Sequence, residues 1–241
     1  MLKLNLKSKK LLLLQRNELL SKKQIILRKK LGRFIFTNLF INFFQKENIE
    51  QKTIRLFKKE LNIINKYLPN KAKNIMDIGC GLGIINIFLN TNYKKKTNFF
   101  LLDKNKTDYK IKYGFSSNYE SYNSLSETKR ILLENKISEK FINLFDVDKK
   151  IKIRHTIDLV ISLKSMGYHY PFEKYLRLFN DCCNKDTVFI FDISTKNYDE
   201  SHFKKFFGMV KVIHHEKSVH SLKRICCSNF KIKKRLKNYL I

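Results

Sequence analysis

The stretch MDIGCGLG, Met76 to Gly83, constrains the fold more than any other part of the chain. An apolar run ends in Asp77, and Gly79, Gly81 and Gly83 follow at alternate positions. Without a Cβ, a glycine backbone takes positive φ readily and lets a neighbour come closer than any side chain would. "NIMDIG" reads as a strand and "IINIFLN" as a buried helix, so the glycines form a strand-to-helix turn. In an open α/β sheet such a turn lies beyond the carboxyl end of a strand, where ligands bind.

The remaining segments repeat the theme. "NFFLLD" (Asn98 to Asp103), "KFINLFD", "TIDLVISL" and "TVFIFDIS" are strand candidates, and "MVKVIHH" with "SVHSLKRICC" alternates as a hairpin does. "SLSETKRILLENK" reads as a helix opened by Ser124 with Glu127 three residues on, the capping-box spacing. "PFEKYLRLFN" and "YDESHFKKFF" read as two more helices. Upstream, Ile54, Phe57, Leu61, Ile64 and Leu68 recur at three-and-four spacing, predicting a helix that Pro69 stops. Strands alternating with helices predict an α/β fold: a doubly wound, mostly parallel, seven-stranded Rossmann-like sheet with a C-terminal antiparallel hairpin. The expected division is a basic helical N-terminal extension, residues 1–70, followed by the sheet domain, residues 71–241.

The 50 Lys and Arg against 21 Asp and Glu give a formal charge of +29, which on its face suggests a polyanionic partner. The excess is spread along the chain, and scarce proline (2) and glycine (7) amid many Lys, Asn and Ile also fit AT-rich codon usage. Nucleic acid is therefore an alternative partner that is not favoured, because binding needs the cations gathered in a patch. "FIFTNLFINFF" (Phe34 to Phe44) is too short to span a bilayer. It reads as a helix packed over the main domain, with contact to a membrane surface through the N-terminal region as the alternative. The short "LLLL" run lacks the longer apolar region of a signal peptide. Cys80 stands alone, and Cys182-Cys183 and Cys226-Cys227 are doublets; an odd count without CxxC fits free thiols in a reducing cytoplasm. His214, His215 and His220 near Cys226 lack the spacing of zinc ligands, and no metal is assigned.

Two ligand classes use a glycine turn of this kind. The dinucleotide pattern G-x-G-x-x-G needs its third glycine where Ile84 stands, which disfavours a nicotinamide dehydrogenase. The pattern present, D-x-G-x-G-x-G, resembles motif I of the class I S-adenosylmethionine-dependent methyltransferases, and the segment order from Asn74 to Cys227 resembles their whole fold, hairpin included. The resemblance implies S-adenosylmethionine as cofactor. It lays Gly79, Cys80, Gly81 and Gly83 against the methionine and ribose, and Asp77 near the amino group. It makes Asp103, with Lys104 beside it, the acid that accepts both ribose hydroxyls. Asp146 would pair with the adenine amine, Val147 would pack on the ring, and Ser162 completes the set. Alternatively, Asp77 caps a turn, Asp103 is a loop acid, and Asp146, beside Asp148, is surface charge.

"SLKSMGYHYPFEKYL" (Ser162 to Leu176) stands where acceptor residues cluster in that fold. It lacks the D/NPPY/F/W motif of enzymes that methylate amino groups of bases. It resembles a group of bacterial small-molecule methyltransferases described as candidate sugar O-methyltransferases. "YGF" (Tyr113 to Phe115) and "YNSL" (Tyr122 to Leu125) resemble the same group and imply a lid. His169 and Tyr170 are the candidate catalytic residues. A histidine base suits proton transfer near neutrality; otherwise His169 only hydrogen-bonds the cofactor's methionine end or anchors the helix at Pro171. The expected activity is methyl transfer to a small-molecule hydroxyl. A tRNA or rRNA methyltransferase and a non-catalytic S-adenosylmethionine-binding protein are the alternatives, and the oligomeric state is left open.

Overall fold

The computed structural model describes residues 2–43, 48–94, 96–106, 122–216 and 221–231. Four helices precede the sheet: α1 (Leu6–Gln15), α2 (Lys22–Leu31), α3 (Arg33–Phe43) and α4 (Ile49–Ile64). The starts of α1, α2 and α4 are capped by side chains, Asn5 accepting from Ser8 N, Asn48 from Gln51 N, and Ser21 forming a full capping box with Gln24. Gly32, at φ +82°, ends α2 and lets α3 begin at once. The "LLLL" run is the buried stripe of α1, and α3 packs on α1 and α2 through Phe36, Thr37 and Ile41. α4 buries Ile49, Thr53, Phe57, Glu60 and Ile64. Glu60 joins the inward face beside Leu61, which packs partly buried against the core.

The sheet follows as β1 (Asn74–Ile78), α5 (Ile84–Asn92), β2 (Asn98–Asp103), α6 (Leu125–Glu134), β3 (Ile142–Asp146), β4 (Leu159–Ser162), α7 (Leu176–Cys182), β5 (Val188–Ser194), β6 (Phe207–Glu216) and β7 (Leu222–Phe230). Its order is β3-β2-β1-β4-β5-β7-β6. The first five strands run parallel, and β7 is antiparallel to both β5 and β6. The expected architecture is present. Two helices differ from expectation. Phe172–Tyr175 is a 3-10 turn ahead of α7, and Glu200–Lys205 is 3-10 throughout. Phe203 and Phe206 are both buried three residues apart, a repeat that a three-residue turn satisfies better than an α-helix.

Period-two alternation sorts the strands' side chains. Ile75, Phe99, Leu101, Leu159, Ile161 and Ile190 enter one core with the helices α1, α3, α4, α5 and α6. Met76, Ile78, Phe100, Leu102, Val160 and Phe191 enter the other, with α7 and a cluster of phenylalanines around Phe172. The N-terminal helices therefore share the core of one sheet face. β1 connects outward to β2 on one side, and β4 flanks it on the other. That reversal is the switch point where such sheets bind ligands. No helix among the described residues is long and apolar enough to cross a membrane.

Candidate cofactor and acceptor site

A cavity of about 630 Å³ opens beyond the carboxyl ends of β1, β4 and β5. The glycine turn forms its floor, with φ of +71°, +52° and +68° at Gly79, Gly81 and Gly83. Gly79 N and Cys80 N both donate to Leu102 O (2.7 and 3.2 Å), curling the turn over β2. Asn123 Nδ2 and Thr128 Oγ1 hold Gly81 O from the other side (2.9 and 2.8 Å). A Cβ on Gly79 would overlap the side chain of Ser165, and one on Gly81 would lie 2.8 Å from Gln15 Oε1. The loop after β4 and the end of α1 thus close down on the turn. Gly83 faces α6, near Leu132 and Thr128, and is outside the cavity lining.

Asp103 is at the cavity's edge. Its Oδ2 accepts from Gly81 N and its Oδ1 from Lys104 N, both at 2.7 Å. Burial pushes its carboxyl up to about 6, opposed by those bonds and by Asn123, with Asp146 adding to the rise. Asp77 lies on the α5 side of β1, where Asn86 Nδ2 donates to its Oδ2 at 2.6 Å. Burial pushes it up to about 7; Asn86 opposes this and Asp103 adds to it. Asp77 does not line the cavity, because strand alternation turns it under the glycines. Asp146 is Asp103's neighbour in register on β3, with its Oδ1 accepting from Asp148 N at 3.1 Å. Val147 N donates to Asp103 O at 3.1 Å, and Lys104 Nζ lies 3.6 Å from Asp148. Asp146, Val147 and Lys104 flank the Asp103 edge without lining the cavity. Ser162 is fully buried and also outside the lining; its Oγ donates to Ile78 O (2.7 Å) and accepts from Met166 N (2.9 Å), tying β4 to β1.

The loop from Leu163 to Tyr170 is wound tightly. Lys164 and Gly167 have φ of +64° and +78°, and a Cβ on Gly167 would stand 2.8 Å from Asp192 O. Ser165 O accepts from the backbone of Tyr168, His169 and Tyr170 (3.1, 2.7 and 3.2 Å). His169 and Tyr170 line the cavity as a result, with the Tyr168 ring edge-on to His169 at 4.7 Å. Tyr122 also lines it, whereas Tyr113 to Phe115 and His220 lie outside the described residues.

No family model matches the sequence, and no curated protein matches it. Solved structures do align with this chain. A candidate O-methyltransferase from Nostoc punctiforme PCC 73102 aligns with a TM-score of 0.53 at 11% identity, covering 75% of this chain and 58% of that one. The S-adenosylmethionine-dependent methyltransferase SibL, in its apo form, aligns at 0.50 and 11% identity, covering 77% and 59%. The chain has the class I methyltransferase fold. Precorrin-6y C5,15-methyltransferase from Geobacter metallireducens aligns at 0.49 and 14% identity, over 69% of this chain and 85% of that one. At these identities the likeness is one of fold.

Onto this methyltransferase fold the N-terminal segment adds a wall that local sequence patterns do not reveal. Gln15 Nε2 donates to Tyr122 O at 2.6 Å, anchoring the end of α1 over the glycine turn. Arg16 lies over the Phe57 ring at 5.1 Å, and Glu18 ion-pairs with Lys164. Burial alone would raise Glu18, but Arg16 and Lys164 outweigh it and hold the carboxyl below its usual value. Behind the wall, fully buried Arg224 of β7 donates to Asp192 of β5 (2.7 and 2.9 Å) and to Glu60 of α4. Asp192 Oδ2 also accepts from Lys164 N at 3.0 Å, so this network braces the loop that carries His169. Burial would raise Glu60, yet Arg224 and Arg16 keep it lowered. That is why an acid occupies the inward face of α4. The one local hint was Glu18, the single acid among residues 1–43.

Proposed function

We propose that the protein is an S-adenosylmethionine-dependent methyltransferase that acts on a hydroxyl of a small molecule. The observation that carries this reading is Asp103, a desolvated carboxylate at the end of β2 beside a left-handed glycine turn in the switch-point cavity. Its two oxygens accept two backbone bonds and one from Asn123, which leaves one of the carboxylate's acceptor sites at the cavity edge for a ribose hydroxyl. Asp77 and Asp103 both hold protons more tightly than ordinary aspartates, so a ligand bearing positive charge relieves them. Gly79, Cys80, Gly81 and Asp103 would hold the cofactor, which supplies a methyl group on a sulfonium, a good leaving group.

The chain's own tasks are then alignment, exclusion of water and removal of one proton. Leu12, Leu14, Phe57 and Leu163 give the cavity apolar walls. His169 would take the acceptor's hydroxyl proton, and Tyr170 beside it would help orient the acceptor. Calorimetry with S-adenosylmethionine and S-adenosylhomocysteine tests the cofactor. Both should bind, and Asp103→Ala should weaken them by about tenfold to a hundredfold, the loss of one hydrogen bond to a charged group. No heat on wild-type protein overturns the reading. One observation favours an RNA acceptor instead: eleven Lys and Arg face a single acid over residues 1–43. Transfer of labelled methyl groups into bulk tRNA, with an affinity for it that falls steeply as salt rises, would replace the small-molecule reading.

A further inference from the structure

Arg16 follows the last residue of α1, and its extended backbone (φ −126°) carries the side chain to the cavity wall. The side chain is only 13% exposed. Its Nη1 is buried and has no hydrogen-bond partner among the described residues. Glu18 Oε1, at 3.8 Å, is too far for a hydrogen bond and is already engaged by Lys164. A buried donor left unmade costs about 1–3 kcal/mol, and more when charged, so the arrangement is costly unless a ligand completes it.

The other charges of the cavity are accounted for. Asp103 is bonded by the backbone, Glu18 and Glu216 both lie on Lys164, and Arg33 donates to Leu14 O (3.4 Å) and covers the Tyr122 ring. Lys196 is exposed to solvent. Arg16 alone in this lining has a buried donor nitrogen without a hydrogen-bond partner among the described residues. We propose that Arg16 is a carboxylate receptor, its guanidinium fork binding a carboxylate that the ligand brings into the cavity beside Asp103 and His169. A planar two-oxygen anion matches the fork, and the Phe57 face behind it keeps the guanidinium weakly hydrated and fixed in orientation. The carboxylate has two sources, the amino-acid end of the cofactor or an acidic acceptor, and the first rests on the cofactor reading above.

The test compares wild type with Arg16→Met by calorimetry. S-adenosylhomocysteine is set against methylthioadenosine, which lacks the amino-acid carboxylate. In a second arm, lactate and para-hydroxybenzoate are set against lactamide and para-hydroxybenzamide. If the cofactor supplies the carboxylate, Arg16→Met loses about tenfold or more for S-adenosylhomocysteine and nothing for methylthioadenosine. If the acceptor supplies it, both nucleosides are unaffected, and an acid preferred over its amide by about tenfold loses that preference. A variant that changes neither ratio overturns the proposal. Where Arg16→Met loses the wild-type circular dichroism spectrum, Arg16→Lys, which keeps the charge but not the fork, is read the same way. Failure of both nucleosides to bind wild type sinks the cofactor reading, and the acid-against-amide arm still decides on Arg16.

Discussion

Asp77 carries a carboxylate that water scarcely reaches, being 2% exposed with one bond from Asn86. Burial, opposed by Asn86 and reinforced by Asp103, moves it from 3.8 to about 7, so the folded chain binds this proton more tightly than the unfolded chain. Its contribution to stability is therefore complete below pH 3.8 and lost as pH rises through about 7. Asp77→Asn retains an acceptor for Asn86 and abolishes the titration. The variant should exceed wild type by about 4 kcal/mol at pH 8, with the gap closing towards pH 4, as urea midpoints across that range will read. A gap independent of pH would mean that the carboxylate pays no desolvation cost. Such a cost, at the tip of a strand under a ligand cavity, is a mark of functional sites more than of structural ones.

Arg224 joins three elements, reaching from β7 to Asp192 on β5 and Glu60 on α4, while Asp192 also holds the backbone of Lys164. Arg224→Met strands two carboxylates in the interior and should cost about 3–5 kcal/mol by urea unfolding, because removing one partner leaves uncompensated buried charge. An unchanged midpoint would refute the network's role. None of this network is legible locally, since its members are joined only when the sheet is assembled. The strands, the turn and α5 were legible, because period-two alternation and positive-φ glycines are properties of neighbouring residues. Asp103 was expected at the end of β2, and the resemblance put His169 and Tyr170 in the segment after β4; all three line the cavity. The facing of Asp77 away from the cavity follows from alternation along β1. Local patterns failed where a distant partner intervened: Ser124 caps α6, but the Glu127 side chain bonds Ser8 (2.6 Å), 119 residues away, rather than closing the box. Gln15, Arg16 and Ser165 were invisible for the same reason, as they reach the site only through the way α1 crosses the glycine turn.

Across the whole molecule, Leu11 to Leu14 of α1 belong to the same apolar core as Ile75, Leu101 and Leu159 of the sheet. The helices before β1 and the sheet should therefore melt together. Thermal unfolding followed by far-ultraviolet circular dichroism and by tyrosine emission, the chain having no tryptophan, should give one coincident transition. Two separated transitions would show that residues 1–70 fold apart from the rest. At the margin of the sheet, β6 runs for ten residues with no described strand on its outer side. Such a rim is a template on which a second molecule can grow a ladder. Here the pairing of β6 with β7 slips between Val212 and His214, and Lys211 projects beside it over the ring of Tyr67 at 5.5 Å. A border interrupted by a slip in register and bearing a lysine is a poorer template for such growth than a long, flat, apolar one.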